Sequence, residues 1–296
     1  RGSIESLGKQ IEEVLTQAKL VKMPTSYKKV SNIVFFGMGG SGIGMHFIKS
    51  VFFNSLKIPV EIINGYHSPM FLSNKSLVIA SSYSGSTEEI LHAVQEAKKK
   101  KAKILVVCSG GQLADWARKN KVPALVFEVN NNPCGSPRMG LGYSIFGQIA
   151  MLANLGIVKL SPLEIKAILQ VIYRYIKLFG ISSSQEENSA KQIATSVFGK
   201  SVWYVGSEHL SGNAHVAANQ LNENAKRFSG YFLIPELNHH LMEGMLYPEH
   251  NKQTVKFVFL RSDLYDKKVQ KRYEITKQIL DKNGIEHVSY VAQERN

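Results

Sequence analysis

Cysteine is scarce. Of 296 residues only Cys108 and Cys134 carry a thiol, too few for a disulfide scaffold or a four-cysteine zinc site. No apolar run approaches the roughly 18 residues that span a bilayer. Charges are spread through the first 30 residues (Arg1, Glu5, Lys9, Glu12, Glu13, Lys19, Lys22), so a membrane span and a secretory leader are both disfavoured. The expectation is a reduced, cytoplasmic chain with no membrane partner. Zinc-finger spacing, basic heptads and aromatic RNA-binding signatures are also missing, so no nucleic-acid partner is expected. Acidic residues are in deficit, 23 against 36 Lys and Arg, for a net charge of +13. Such a field draws anions, small phosphorylated substrates among them. The one dense basic run, 98–101 with Lys103, closes an expected helix, where cations face the negative end of the dipole.

What is present is a globular composition, 44% apolar and 20% charged, with length for two domains at about 150 residues each. In the first half, short β-branched or aromatic runs at 33–36, 60–63, 77–80, 104–108 and 125–129 predict strands. Continuous apolar strands of this length fit a parallel sheet covered on both faces. Helical stretches are expected at 43–53, 87–100 and 113–120, and an apolar helix at 140–155 ends on Gly156. Alternation of this kind predicts a doubly wound, flavodoxin-like α/β domain. The second half repeats the scheme: helices 162–179 and 185–197, strand 202–205, a Gly/Ser loop at 206–212, helix 213–226, strand 255–260, helix 267–283 and strand 287–291. A strand running into a Gly/Ser loop occurs at 33–42 and again at 202–212, a weak internal repeat. Two such domains with central parallel sheets are expected, 1–156 and 157–296, with the boundary near Gly156.

Two loops in the first domain invite an anion. Phe36-Gly37-Met38-Gly39-Gly40-Ser41-Gly42 leaves a strand and enters a helix, and glycines there let backbone N–H groups approach a ligand closely. Gly37, Gly39 and Gly42 also satisfy the dinucleotide pattern. That pattern wants an acid after the second strand, yet Glu61 opens that strand and Asn64-Gly65 follows it. No nicotinamide cofactor is therefore expected. The second loop, Ser81-Ser82-Tyr83-Ser84-Gly85-Ser86-Thr87-Glu88-Glu89, holds far more hydroxyls than an N-cap on Ser86 or Thr87 requires. Hydroxyls converging with helix-start amides make a neutral cradle for a phosphate monoester.

The residues Gly39-Gly40-Ser41-Gly42 with Ser82-Tyr83-Ser84-Gly85-Ser86-Thr87 resemble the sugar isomerase (SIS) domain. Pro137-Arg138, the run Gln220-Leu221-Asn222-Glu223-Asn224-Ala225-Lys226 and Glu236-Leu237-Asn238-His239 narrow this. Together they resemble the bifunctional phosphoglucose/phosphomannose isomerases of bacteria and archaea, in family order over about residues 30 to 260.

Interconverting an aldose and a ketose phosphate needs a group to open the ring, a carboxylate to carry a proton between C1 and C2 through an enediol(ate), and a positive group near the developing charge. The resemblance implies Glu223 as the proton-shuttling base and His239 as the ring-opening residue, supplied in relatives by the neighbouring subunit of a homodimer. It implies Arg138 as support for the enediolate, and Gly40, Ser41, Ser82, Ser84 and Thr87 as phosphate contacts. The implied substrates are glucose 6-phosphate, fructose 6-phosphate and mannose 6-phosphate. Rotation about C2–C3 lets glucose and mannose substrates share one base. The alternative is a non-catalytic sugar-phosphate-binding module, which would keep the loops without using Glu223 or His239.

His239, His240, Glu243 and His250 lie close in sequence, but no two of these His stand at i, i+4, and no metal is expected. Tyr143 and Trp203 read as core aromatics, and neither cysteine carries a nucleophile signature. Family members continue past the point matching Asn296 into a helix with a Thr and a Lys near the active site. No segment here matches it, so the expectation is a fragment or a lineage lacking that helix.

Overall fold

Runs of Val, Ile and Phe become parallel strands when helices cover both faces of a sheet, and the chain does this twice. A computed structural model describes residues 1–292; residues 293–296, assigned above to the second domain, lie outside the described residues. Contacts group the chain into two compact units, Arg1–Ile176 and Lys177–Asn296.

The first unit opens with α1 (Gly2–Glu5) and α2 (Leu7–Ala18). Then come β1 (Asn32–Phe36), α3 (Gly39–Val51), β2 (Val60–Ile63), β3 (Ser76–Ser82), α4 (Glu88–Lys99), β4 (Lys103–Cys108), α5 (Gly111–Lys119), β5 (Ala124–Val126), α6 (Leu141–Asn154) and α7 (Pro162–Leu178). The sheet order is β2-β1-β3-β4-β5 and every pair is parallel. This is the flavodoxin order, whose direction reverses between β1 and β3. Alternation along the strands feeds two cores. Phe35, Ile79 and Leu105 meet Ile11, Tyr143 and Met151 on one face. Val34, Val78 and Val106 meet Ile90, Val94 and Leu113 on the other. Every residue of β3 is buried. Helix α7 sets Ile165, Leu169 and Ile172 on the first of these cores. The division between units therefore falls later than the boundary expected near residue 156.

The second unit holds α8 (Ser189–Ser196), β6 (Ser201–Gly206), α9 (Ser211–Ala225), β7 (Ser229–Leu233), α10 (Leu237–Gly244), α11 (Asn251–Thr254), β8 (Val255–Arg261), α12 (Lys267–Lys282) and β9 (Glu286–Val291). Its parallel sheet runs β7-β6-β8-β9, the first unit's order without a fifth strand. The repeat suspected from the two Gly/Ser loops is thus a repeat of topology. Strand β7 has no counterpart in the sequence expectations because Gly230 interrupts its pattern. A Cβ there would fall 2.3 Å from the Trp203 ring, and that ring stacks on Phe232 at 5.1 Å. Among the described residues no helix is long and apolar enough to cross a membrane.

Candidate functional site

Strands β1 and β3 are neighbours whose carboxyl ends both lead into helices, α3 and α4. Helix α3 starts at Gly39, four residues earlier than its apolar pattern, so the glycine-rich stretch itself forms the first turn. The turn is tight: a Cβ on Gly42 would lie 3.0 Å from the Gly37 carbonyl, and Gly39 has φ +48°, a backbone region that glycine enters without strain. Neither helix start is capped by a side chain, at Met38 for α3 or at Thr87 for α4. Their first-turn N–H groups are positioned for an anion.

The hydroxyls of the two loops hold each other in place. Ser41 Oγ accepts the Tyr83 N–H at 2.8 Å, joining the start of α3 to the second loop. Ser82 Oγ accepts the Gly85 N–H at 3.0 Å and lies 2.7 Å from Thr87 Oγ1. Thr87 therefore spends its hydroxyl on Ser82 rather than on a cap. Ser84 Oγ accepts the Ser86 N–H at 3.3 Å and, unlike Ser82, is exposed. Gly85, at φ +69°, is obligatory here: a Cβ would stand 1.8 Å from the Gly110 carbonyl.

Arg138 lies in the single turn Pro137–Met139 just before α6. Its Cα is 3.7 Å from where a Gly40 Cβ would be, which brings the segment carrying the guanidinium to the first turn of α3. Gly40, Ser41, Ser82, Ser84, Thr87 and Arg138 are thus gathered at one end of one sheet. Asn64, standing where a dinucleotide pattern wants an acid, donates to the Gly37 carbonyl at 2.7 Å and braces the glycine turn.

Sequence reasoning missed Gln148. Fully buried on α6, it donates from Nε2 to the Ser41 carbonyl at 3.0 Å and to Ser81 Oγ at 2.9 Å, and so ties both loops to one side chain. A Cβ on Gly44 would come within 2.8 Å of its Oε1; that glycine is the one local sign of the contact. Tyr143 is a core aromatic as expected, stacked on Phe127, but its hydroxyl also makes a polar contact, donating to Glu13. Burial and that bond push the Tyr143 phenol upward. Burial works to raise Glu13, and the hydrogen bonds from Tyr143, Asn131 and Asn130 outweigh it and lower that carboxyl.

In the second unit, Glu223 is half-buried near the end of α9 and His239 is exposed in the first turn of α10. In a parallel sheet, α9 leaves the carboxyl end of β6 and returns to the amino end of β7. Asn222 fixes that junction, accepting the Ser229 N–H at 3.0 Å and donating to the Ser229 carbonyl at 2.8 Å. Helix α10 follows the carboxyl end of β7. Glu223 and His239 therefore flank opposite ends of a five-residue strand, which at 3.3 Å per residue is about 16 Å long. The unit does not bring them together. Asn238 anchors α10 by donating to Thr276 Oγ1 at 2.7 Å.

The remaining candidates fall out differently. His240 pairs with Glu236 at 2.7 Å. Cys108 is buried and its thiol is pushed up to about 11 by that burial. Two lysines of the basic run hold backbone: Lys100 Nζ donates to the Ser68 and Pro69 carbonyls, and Lys103 Nζ to that of Lys29.

Comparison with known proteins agrees with this architecture. Residues 26–129 match the SIS domain, and residues 186–296 match the bacterial phospho-glucose isomerase C-terminal SIS domain. The bifunctional phosphoglucose/phosphomannose isomerase of Caldicellulosiruptor bescii is 31% identical over 283 residues, 94% of this chain and 81% of that protein. The Aquifex aeolicus protein of the same name is 31% identical over 291 residues, 95% of this chain and 83% of its own. Among solved structures, a Clostridium difficile protein described as a putative phosphosugar isomerase superposes with a TM-score of 0.70 at 16% identity, covering 99% of this chain and 82% of that one. This last likeness speaks to the fold. At the identity and coverage of the two enzymes, this chain belongs to the bifunctional phosphoglucose/phosphomannose isomerase family.

Proposed function

We propose that this chain is an aldose–ketose isomerase that interconverts glucose 6-phosphate, and mannose 6-phosphate, with fructose 6-phosphate. The observation that carries the reading is the pair of uncapped helix starts on adjacent strands, joined through Ser41 Oγ and the Tyr83 N–H. That arrangement is a phosphate cradle in a chain whose relatives bear isomerase names. No relative named above favours the non-catalytic alternative.

The phosphate sits against the first-turn amides of α3 and α4. Ser41 accepts from Tyr83, so its own proton remains to donate to a phosphate oxygen. In the Ser82–Thr87 pair one hydroxyl proton is used internally and the other points to the ligand. Gly40 keeps the backbone close, and exposed Ser84 closes the rim. His239 transfers the proton that opens the ring. Glu223 takes the proton from C2 of the aldose and returns it to C1, and the Arg138 guanidinium stabilises the enediolate between these steps. No cofactor enters these steps. Because Glu223 and His239 flank opposite ends of β7, two copies of the chain complete each site, with His239 coming from the partner in a homodimer. The cytoplasm, where sugar phosphates are interconverted, is the assigned setting.

The test is Glu223→Gln incubated with fructose 6-phosphate in D2O. The expected result is loss of aldose phosphate formation and of deuterium entry at C2, with stabilisation by the sugar phosphate retained. Undiminished turnover would remove Glu223 as the base. A wild-type chain that binds fructose 6-phosphate and yields no aldose phosphate would be a sensor.

A further inference from the structure

Along α4 from the second phosphate loop, one nitrogen each of His67 and His92 and one carboxylate oxygen of Glu96 lie within 4.8 Å of one another. His92 and Glu96 stand four apart on α4, one turn along the same face, and His67 comes from the 64–75 connection between β2 and β3. We propose that these three side chains form a surface site for a divalent transition metal, with zinc as its representative ion.

The three groups are already oriented by outer contacts. Glu96 Oε2 accepts the Ser68 N–H at 2.7 Å, while Oε1 sits 3.2 Å from His67 Nδ1. The Ser68 N–H, then His67, hold the Glu96 carboxyl down to about 2, so it is an anion at neutral pH. His92 Nδ1 lies 2.9 Å from the Tyr66 carbonyl. The same nitrogen is 4.0 Å from Glu96 Oε1. An imidazole fixed by a backbone carbonyl, and a carboxylate fixed by an N–H, are the supports that metal ligands ordinarily have. The rings meet edge-on with centroids 5.3 Å apart.

Ligands about 2.0–2.2 Å from a common ion lie at most about 4.3 Å from one another. The cluster therefore closes by small rotations of side chains that sit at the surface. Two imidazoles and a carboxylate suit zinc, nickel or copper rather than magnesium or calcium, and three protein ligands leave a coordination position for water. Lys100 Nζ, on the Ser68 and Pro69 carbonyls, holds the same loop from its other side. A bound ion would clip residues 66–68 to the second and third turns of α4, the helix whose first turn follows Thr87.

Titration of the full chain, first treated with chelator, with Zn2+ in a calorimeter tests this. The expected result is one ion per chain at this site and a rise in Tm on saturation. Loss of an outer partner typically weakens a metal at least about tenfold, and His67→Ala, His92→Ala and Glu96→Gln should each do no less. His240→Ala and His250→Ala should leave binding unchanged. The metal-free Tm of each variant establishes that it folds. Absence of saturable binding to the wild-type chain would overturn the site. So would binding that survives the three substitutions, or that is abolished by His240→Ala or His250→Ala.

Discussion

The two units share a strand order and differ in how they use it. In the first, the sheet is covered on both sides, β3 is buried throughout, and the loop hydroxyls are fastened to backbone N–H groups or to one another over 2.7–3.3 Å. In the second, one sizeable core lies on one face of the sheet and a much smaller cluster on the other. Its edge strand β9 contains no fully buried residue, and the proposed acid/base groups Glu223 and His239 stand half-buried or exposed on helices. The difference follows from the chemistry. An anion is held by fixed dipoles, which require a rigid frame. On the proposed function, acid/base groups must exchange protons and, for His239, reach a second copy. In that reading the well-covered unit supplies binding and the more open one proton transfer.

The largest effects should come from the open unit. Glu223→Gln should lower kcat by about 10²- to 10⁴-fold, the usual worth of a positioned acid or base, with KM nearly unchanged. Unfolding Glu223→Gln and His239→Ala together and refolding the mixture sharpens the point. If sites are shared, half of the dimers are mixed and each keeps one intact pair, so activity returns to about a quarter of wild type by symmetry. No recovery would place both groups in one subunit.

The rigid unit should respond in KM. Removing the paired hydroxyls with Ser82→Ala and Thr87→Val should raise KM about 10- to 100-fold, since hydrogen bonds to a charged ligand are worth about 1.5–3 kcal/mol. Steady-state kinetics against inhibition by inorganic phosphate would show both constants moving together. Gln148→Leu touches no ligand. It should raise KM about tenfold through the loosened loops and cost about 1–3 kcal/mol in denaturant melts, because Ser81 and the Ser41 carbonyl are left buried without that donor. A loss of stability with unchanged KM would make Gln148 a core residue alone.

The smallest effect concerns pH. Glu13 has a lowered carboxyl in the folded chain, so its contribution is present above the ordinary value of 4.5 and is lost as pH falls through the folded value. Tyr143→Phe removes one of the bonds that lower it. Stability near neutrality should drop by about 1 kcal/mol, and the decline at acid pH should be shallower than in the wild type. An unchanged acid limb would mean that Asn130 and Asn131 hold the carboxylate alone.

Much of the rigid unit was legible in sequence because its signals are local. Apolar runs yielded strands close to their final bounds, and the Gly-Gly-Ser-Gly and Ser/Thr-rich segments stood where strands meet helices. Departures have physical causes. Helix α3 absorbed its glycines because Gly42 packs on Gly37 and Gly44 beside Gln148. Strand β7 escaped because Gly230 was selected by the Trp203 ring and not by strand propensity. Helix α7 joined the first unit because its apolar stripe found that unit's core.

Alternation of strands and helices and the two Gly- and hydroxyl-rich loops between strand and helix could be read along the chain, since each is written within a window of a few residues, while Glu223, His239 and Arg138 came from the family resemblance. Packing alone set Glu223 and His239 at opposite ends of one strand, joined Gln148 to two loops more than sixty residues away from it, and brought His67 to His92 and Glu96. Those facts depend on crossover direction and on side-chain contacts between distant segments, which the folded chain fixes and local pattern does not encode.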